Sequence, residues 1–358
     1  MNYYSSRISK YYSYDNRFNR QNPIDKYEIL REIGSGSYGR VFKVRNKLSN
    51  KIYALKKVNL FANRKENNLY LVNELKILTY NQSNYLLQSH EIFIDHGNIC
   101  IIMDYAEKGD LRQYIKKYKN NNLKISEGRI WHFLIQILLA IEYLHRNNII
   151  HRDIKTANIM INKNYSISVG DFGVSKILKP DINLATTQIG TPYYLSPEII
   201  KGKNYDKKAD IWAIGCILCE MMTLDYAFLS KNIHALNYKI IEGKYNLDNL
   251  LYSESLINLV KKMLTTDVEK RPDIYTLINL PIIQHKLANR IYLMDSPKTN
   301  TLKKKILRNI TVPKYDSEWE KTISEFNKDM CFNSPTKTRP MSVINRRDKN
   351  FLPPIKIL

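Results

Sequence analysis

From Tyr27 onward the chain alternates apolar and polar positions with a period of two, the signature of strands with one covered face. The runs Y-E-I-L-R-E-I at 27–33 and R-V-F-K-V-R at 40–45 flank G-S-G-S-Y-G, so those glycines fall in the turn of a hairpin. A third strand, I-Y-A-L-K-K-V, follows at 52–58. Over residues 65–79 the period changes: Leu71, Leu75 and Leu78 recur at helical spacing, and Glu74 shares their stripe. Two more strands end at I-C-I-I-M-D-Y-A, and the break at Asp104–Ala106 predicts a hinge between a sheet-rich part and the rest. From Leu111 to His145 the pattern is helical, and I-W-H-F-L-I-Q-I-L-L-A-I-E-Y-L-H is so largely apolar that it must run through a core. Helices are again expected across 207–285.

The two ends read differently. Residues 1–26 are Tyr, Ser, Asn and Arg with little aliphatic content and are expected to be a disordered extension. Beyond about residue 286 the composition shifts to Lys, Asn, Ser, Thr and Pro. There T-L-K-K-K-I-L-R-N-I-T-V-P-K and F-L-P-P-I-K-I-L look like short docking motifs on a basic, mostly disordered tail. No sustained heptads support a coiled coil. The 358 residues, 44% of them hydrophobic, suffice for a large core in two domains or two lobes. The net charge of +22 invites a phosphate-binding reading, but it is spread as +3 over 1–26, +10 over 27–285 and +9 over 286–358. Asn, Ile, Lys and Tyr, all with AT-rich codons, are abundant throughout, so a nucleic-acid surface is not the reading adopted. Cys100, Cys216, Cys219 and Cys331 are too few and too scattered for a disulfide framework, and the C-x-x-C at 216–219 sits in an apolar helical run as packing residues. With no apolar leader after M-N-Y-Y-S-S-R and no run near eighteen apolar residues, the expectation is a cytoplasmic, reduced protein.

Candidate chemistry lies where charge interrupts apolar runs. In I-I-H-R-D-I-K-T-A-N-I-M-I and the following I-S-V-G-D-F-G, Asp153, Lys155, Asn158 and Asp171 project from strand ends or the loop between them. Buried without partners they would be costly, so convergence on a shared polyanion and its metal is expected. Gly34, Gly36 and Gly39 have a strand on both sides, which suits a lid over phosphates and not the strand-to-helix turn of a dinucleotide fold. Glu74, on an inward stripe, needs a cation, and Lys56 is the candidate. Asp210 opens a helix, where an acid suits the dipole and can also hold the 151–158 loop. Arg271 in K-R-P-D is the expected partner of Glu198.

In order and spacing, H-R-D-x-K-x-x-N followed by D-F-G resembles the catalytic core of protein kinases. The combination of D-Y-A-E-K-G-D-L, I-I-H-R-D-I-K-T-A-N-I, G-D-F-G-V-S-K-I-L and I-G-T-P-Y-Y-L-S-P-E-I-I is similar to the NIMA-related (NEK) serine/threonine kinases over roughly 27–285. Between Thr79 and Phe93 the chain departs from the family's habit, N-Q-S-N-Y-L-L standing where H-P-N-I-V is usual.

The resemblance implies an α+β, two-lobed fold: a small antiparallel lobe with one main helix over 27–103, a hinge at 104–110 and a larger helical lobe over 111–285. It also implies ATP under Ile33, Gly34, Ser35, Gly36, Ser37, Tyr38 and Gly39. Adenine would lie between Val41, Ala54 and Met160, bonded to the backbone of Asp104 and Ala106, with Met103 behind and Asp110 at the ribose. Lys56, paired with Glu74, would hold the α- and β-phosphates, and Asn158 and Asp171 would hold Mg²⁺. Asp153 would take or orient the acceptor proton, and Lys155 would steady the γ-phosphate. Thr191 would face Asp153 and Lys155, and phosphate on Thr187 would pair with Arg152 and order the loop. Implied partners are protein substrates with Ser or Thr acceptors and, through the tail, cytoskeletal or ciliary proteins. Cytoskeleton, cilium and nucleus are the implied places, with roles in the cell cycle. The competing reading is a pseudokinase or scaffold that binds partners through its basic tail. Presence of Lys56, Asp153, Asn158 and Asp171 argues against it.

Overall fold

The computed structural model describes residues 22–36, 39–59, 83–170, 193–204, 206–248 and 250–288. The N-terminal extension up to residue 21, the helix expected over 65–79 and the tail from 289 lie outside the described residues. Five strands form one antiparallel sheet in the order β1-β2-β3-β5-β4: β1 Tyr27–Gly36, β2 Gly39–Asn46, β3 Ile52–Asn59, β4 Ser89–Asp95 and β5 Asn98–Asp104. Alternation places Tyr27, Val44, Leu55, Phe93, Cys100 and Ile102 in a small core on one face. Ala54, Val58, Ile99, Ile101 and Met103 point to the other face and join the main core. A strand covered on both sides reads as a continuous apolar run, and β5, N-I-C-I-I-M-D, does so.

The stretch expected to be helical from Leu111 to His145 divides into α1 (Leu111–Asn120) and α2 (Glu127–Arg146). Three consecutive asparagines make the break, and Asn122 takes a left-handed φ of 53°, a conformation asparagine tolerates better than most residues. A two-stranded hairpin, β6 (Ile159–Ile161) and β7 (Ile167–Val169), follows. The remaining helices are α3 (Pro197–Ile200), α4 (Lys207–Thr223), α5 (Ile233–Glu242), α6 (Glu254–Met263), α7 (Ile274–Ile278) and α8 (Pro281–Ala288). α4 is buried at every position from Ala209 to Met222, because it is apolar all round apart from Asp210 and Glu220. Its Gly215 lets α6 approach: a Cβ there would stand 2.8 Å from side-chain atoms of Met263 and Leu264. Cys216 and Cys219 are unbridged and buried on α4, and burial pushes both thiols up, Cys219 to about 12. They pack; they are not poised for redox chemistry. Among the described residues no helix is long and apolar enough to cross a membrane.

Glu198 at the start of α3 meets Arg271, which precedes α7. The guanidinium donates to both carboxylate oxygens (2.7 and 2.9 Å), to the Thr265 and Lys208 carbonyls, and lies over the Trp212 ring. Burial alone would raise the Glu198 carboxyl, but the Arg271 hydrogen bonds and charge hold it below its ordinary value. The pair's contribution is therefore present above about pH 4.5 and lost as pH falls through the lower folded-state value. Arg271→Met strands a buried carboxylate and is expected to cost roughly 3–5 kcal/mol. Thermal unfolding should shift down by on the order of 10 °C at neutral pH. An unchanged transition would show that the pair does not hold α3 to the helical lobe.

Candidate active site

The loop between α2 and β6 is held from below by one buried carboxylate. Asp210, fully buried in the first turn of α4, accepts through Oδ2 from His145 Nε2 (2.8 Å) and the His151 amide (2.9 Å), and through Oδ1 from the Arg152 amide (3.0 Å). Arg152 takes a left-handed φ of 67°, a conformation that costs a non-glycine residue about 1–3 kcal/mol unless its surroundings enforce it. Both of its neighbours are tied. The His151 ring donates from Nε2 to the Gly170 carbonyl (3.1 Å) and accepts at Nδ1 from the Asp153 amide (3.3 Å), joining the loop to the residue just before Asp171.

Above this base Asp153 gathers the other polar residues. Lys155 Nζ donates to its Oδ2 (2.7 Å), and Asn158 Nδ2 donates to the same oxygen (3.1 Å) and to the Asp153 carbonyl (2.8 Å). Because the amide nitrogen of Asn158 is turned toward Asp153, Oδ1 is left as the donor atom for a hard cation. Gly170 N donates to the Asn158 carbonyl, which fixes the loop end against β7.

Lys56 lies on β3 between Val41 of β2 and Ile101 of β5, on the sheet that carries Gly34 and Gly39. Gly36 pairs with Gly39, Ser35 with Arg40 and Gly34 with Val41, so strand pairing runs through the glycines. Gly39 has φ 148°, and a Cβ there would stand 2.0 Å from the Lys57 carbonyl oxygen, so only glycine fits. Ile33 is 39% exposed on β1. Ala54 and Met103 belong to the main core, and Val41 and Met160 pack against it, an apolar wall drawn from both halves and suited to a planar base.

Two expected contacts are narrowed by the geometry. The Asp104 amide donates to the Gln88 carbonyl (3.0 Å), so contact with a base at Asp104 falls to its carbonyl oxygen, with the Ala106 backbone two residues on. The Asp104 side chain meets His90 Nε2 at 2.6 Å. Asp110 caps α1 by accepting from the Gln113 amide (2.7 Å), which commits Oδ1 to the helix. Ser37, Tyr38, Glu74, Asp171, Thr187 and Thr191 lie outside the described residues.

A glycine-bearing hairpin, apolar side chains from both halves, and a loop presenting a carboxylate, an ammonium and an amide oxygen are compatible with a nucleotide carrying a divalent cation. Comparison with known proteins bears on which kind. The protein kinase domain family matches residues 27–283, more than half of the chain. The chain belongs to the protein kinase family. Nek kinases are among its relatives. "Probable serine/threonine-protein kinase nek3" of Dictyostelium discoideum is 39% identical over 277 residues, 76% of this chain and 25% of that protein. Serine/threonine-protein kinase Nek4 of Mus musculus is 35% identical over 293 residues, 79% of this chain and 35% of that protein. "Probable serine/threonine-protein kinase nek2" of Dictyostelium discoideum is 36% identical over 272 residues, 75% of this chain and 65% of that protein. The kinase domain is of the NIMA-related kind, in the two-lobed α+β fold, while the match spans between a quarter and about two thirds of these relatives' lengths.

Within this kinase domain one group of buried side chains escaped the sequence reading. Glu220 of α4 accepts from Tyr194 OH (2.6 Å) and from Thr156 Oγ1 (3.3 Å), and the two hydroxyls lie 2.9 Å apart. The signal was present: a carboxylate in C-E-M-M, on a helix apolar on every side, must find partners. Protein kinases use ATP and a divalent metal, and the Asp153, Lys155 and Asn158 side chains are compatible with both.

Proposed function

We propose that this chain is an ATP-dependent serine/threonine protein kinase of Nek type that transfers the γ-phosphate of ATP to Ser or Thr of protein substrates. The observation that carries the reading is the Asp153 carboxylate, fixed by Lys155 and Asn158 on a loop anchored to Asp210. Asp153 orients the acceptor hydroxyl and takes its proton, while Lys155, already beside that carboxylate, steadies the phosphoryl oxygens. Lys56 reaches the α- and β-phosphates from β3. Asn158, with Asp171, would hold Mg²⁺, which when bound would offset the charge on the phosphates. Val41, Ala54, Met103 and Met160 enclose the base and keep water from it.

Lys155 and the G-T-P-Y-Y-L-S-P-E segment favour Ser or Thr as acceptor. Incubating the full chain with MgATP and a peptide library, followed by mass spectrometry, should find phosphate on Ser and Thr and none on Tyr. A library left unmodified would sink the enzyme reading in favour of a scaffold that keeps the fold. Regulation by phosphate on Thr187, paired with Arg152, belongs to the same proposal. Thr187→Ala should lower the rate several-fold; full activity in that variant would refute the switch. Cytoskeletal or ciliary partners, met in the cytoplasm through the basic tail, rest on the Nek resemblance and the tail's charge.

A further inference from the structure

Thr156 is fully buried in the short 3-10 turn Thr156–Asn158, between Lys155 and Asn158. Its hydroxyl meets Tyr194, 38 residues away, and Glu220 of α4, 64 residues away. Tyr194 lies three residues beyond Thr191, in the segment expected to face the acceptor. That segment is pinned from outside as well: Tyr193 stacks on Tyr226 with centroids 3.9 Å apart and planes at 8°, and Tyr194 meets Tyr226 edge-on.

We infer that Thr156 is a positioning residue whose hydroxyl closes a three-membered hydrogen-bond ring with Tyr194 and Glu220. The ring holds the Asp153–Asn158 loop in register with the segment on which the acceptor peptide lies. This rests on the kinase reading above.

Proton counting sharpens the inference. With Glu220 ionised, the two hydroxyl hydrogens must serve three oxygen–oxygen contacts, and one contact goes without a proton. With Glu220 protonated, its O–H donates to Thr156, Thr156 to Tyr194 and Tyr194 to the second carboxyl oxygen, closing the ring. Burial pushes the Glu220 carboxyl up to about 7, against the opposing hydrogen bonds of Tyr194 and Thr156. Charged and titratable groups facing it are Arg112 on α1, which favours the ionised form, and Asp225 after α4, which disfavours it. Asp225 is itself paired with Lys119. Tyr226 completes that wall.

The test is steady-state kinetics of the full chain with MgATP and an acceptor peptide from the library, across a pH series. Thr156→Val should lower kcat about tenfold, as displacement of a reacting group does, while KM for ATP stays within about twofold. Thr156→Ser should restore the rate. Tyr194→Phe should show the same loss, and the double variant Thr156→Val/Tyr194→Phe should be no slower than either single one, since both open the same ring. Glu220→Gln, whose amide donates to Thr156 and accepts from Tyr194 at every pH, should keep the rate and lose the component of the pH profile that titrates near 7. A normal kcat in Thr156→Val, a loss that serine does not restore, additive losses in the double variant, or an unaltered profile in Glu220→Gln would each overturn the inference. If Thr156→Val does not fold, the Tyr194 and Glu220 variants carry the test by the same criteria. A wild-type chain that phosphorylates nothing is a failure of the kinase reading instead.

Discussion

Replacing Asp153 with asparagine is expected to lower the rate of phosphoryl transfer by roughly 10²–10⁴-fold, the usual worth of a positioned acid or base. The substitution keeps the size of the side chain and an oxygen for Lys155, so the loop should keep its shape. Only the negative charge proposed to take the acceptor proton is lost. Nucleotide affinity should stay within about twofold, because in the proposed role Asp153 would act in the transition state and contribute little to holding the ground state. Single-turnover rates with a saturating acceptor peptide, together with a nucleotide titration, separate the two quantities. A variant that transfers phosphate within tenfold of wild type would remove Asp153 from the chemistry. A variant that merely binds ATP poorly would move it to the nucleotide site.

The second large effect is expected at Asp210, which touches neither nucleotide nor acceptor. Asp210→Ala leaves the His151 and Arg152 amides and the His145 Nε2 donor without their shared acceptor, all beside a fully buried position. Unpaired buried donors cost about 1–3 kcal/mol each, so a loss of about 3 kcal/mol or more in stability is expected. The left-handed Arg152 is then no longer enforced, and relaxation there moves Asp153, the next residue. A displacement of about 1 Å at a reacting group costs on the order of 10²-fold in rate. Thermal unfolding and kcat measured on the same preparation should fall together. Loss of stability with an intact kcat among the folded molecules would show that Asp210 supports the domain without setting the loop.

Local periods made much of the fold legible. Strand alternation located the hairpin that carries Gly34 and Gly39 and the strand that carries Lys56, and the apolar run of α2 marked a helix central to the large lobe, while that of α4 marked Cys216 and Cys219 as packing residues. The break within 111–145 was missed, because periodicity is blind to a short turn when the flanking segments are both helical. Asparagines 120–122 were a local sign of it. Side-chain partners far apart in sequence were harder still. The meeting of Glu198 with Arg271 was expected from the sequence, but only the folded chain shows the carbonyls and the Trp212 ring that complete the guanidinium's surroundings. The ring of Thr156, Tyr194 and Glu220 joins three segments that no window of sequence brings together. Asp104 and Asp110 show the reverse limit: motif position suggested ligand contacts, but competition with Gln88 and with the α1 cap decides which of their atoms can make them.

At the centre of the account, polar side chains from a sheet-rich half and a helical half meet around one metal-bound nucleotide. A crystal structure of the full chain with a non-hydrolysable ATP analogue and Mg²⁺ tests this most directly. The triphosphate is predicted to lie beneath Gly34–Gly39, with Lys56 on its inner phosphates, Asn158 Oδ1 on the metal, and the terminal phosphate facing Asp153 and Lys155. A nucleotide bound elsewhere, or Asp153 and Asn158 turned away from it, would contradict the assignment.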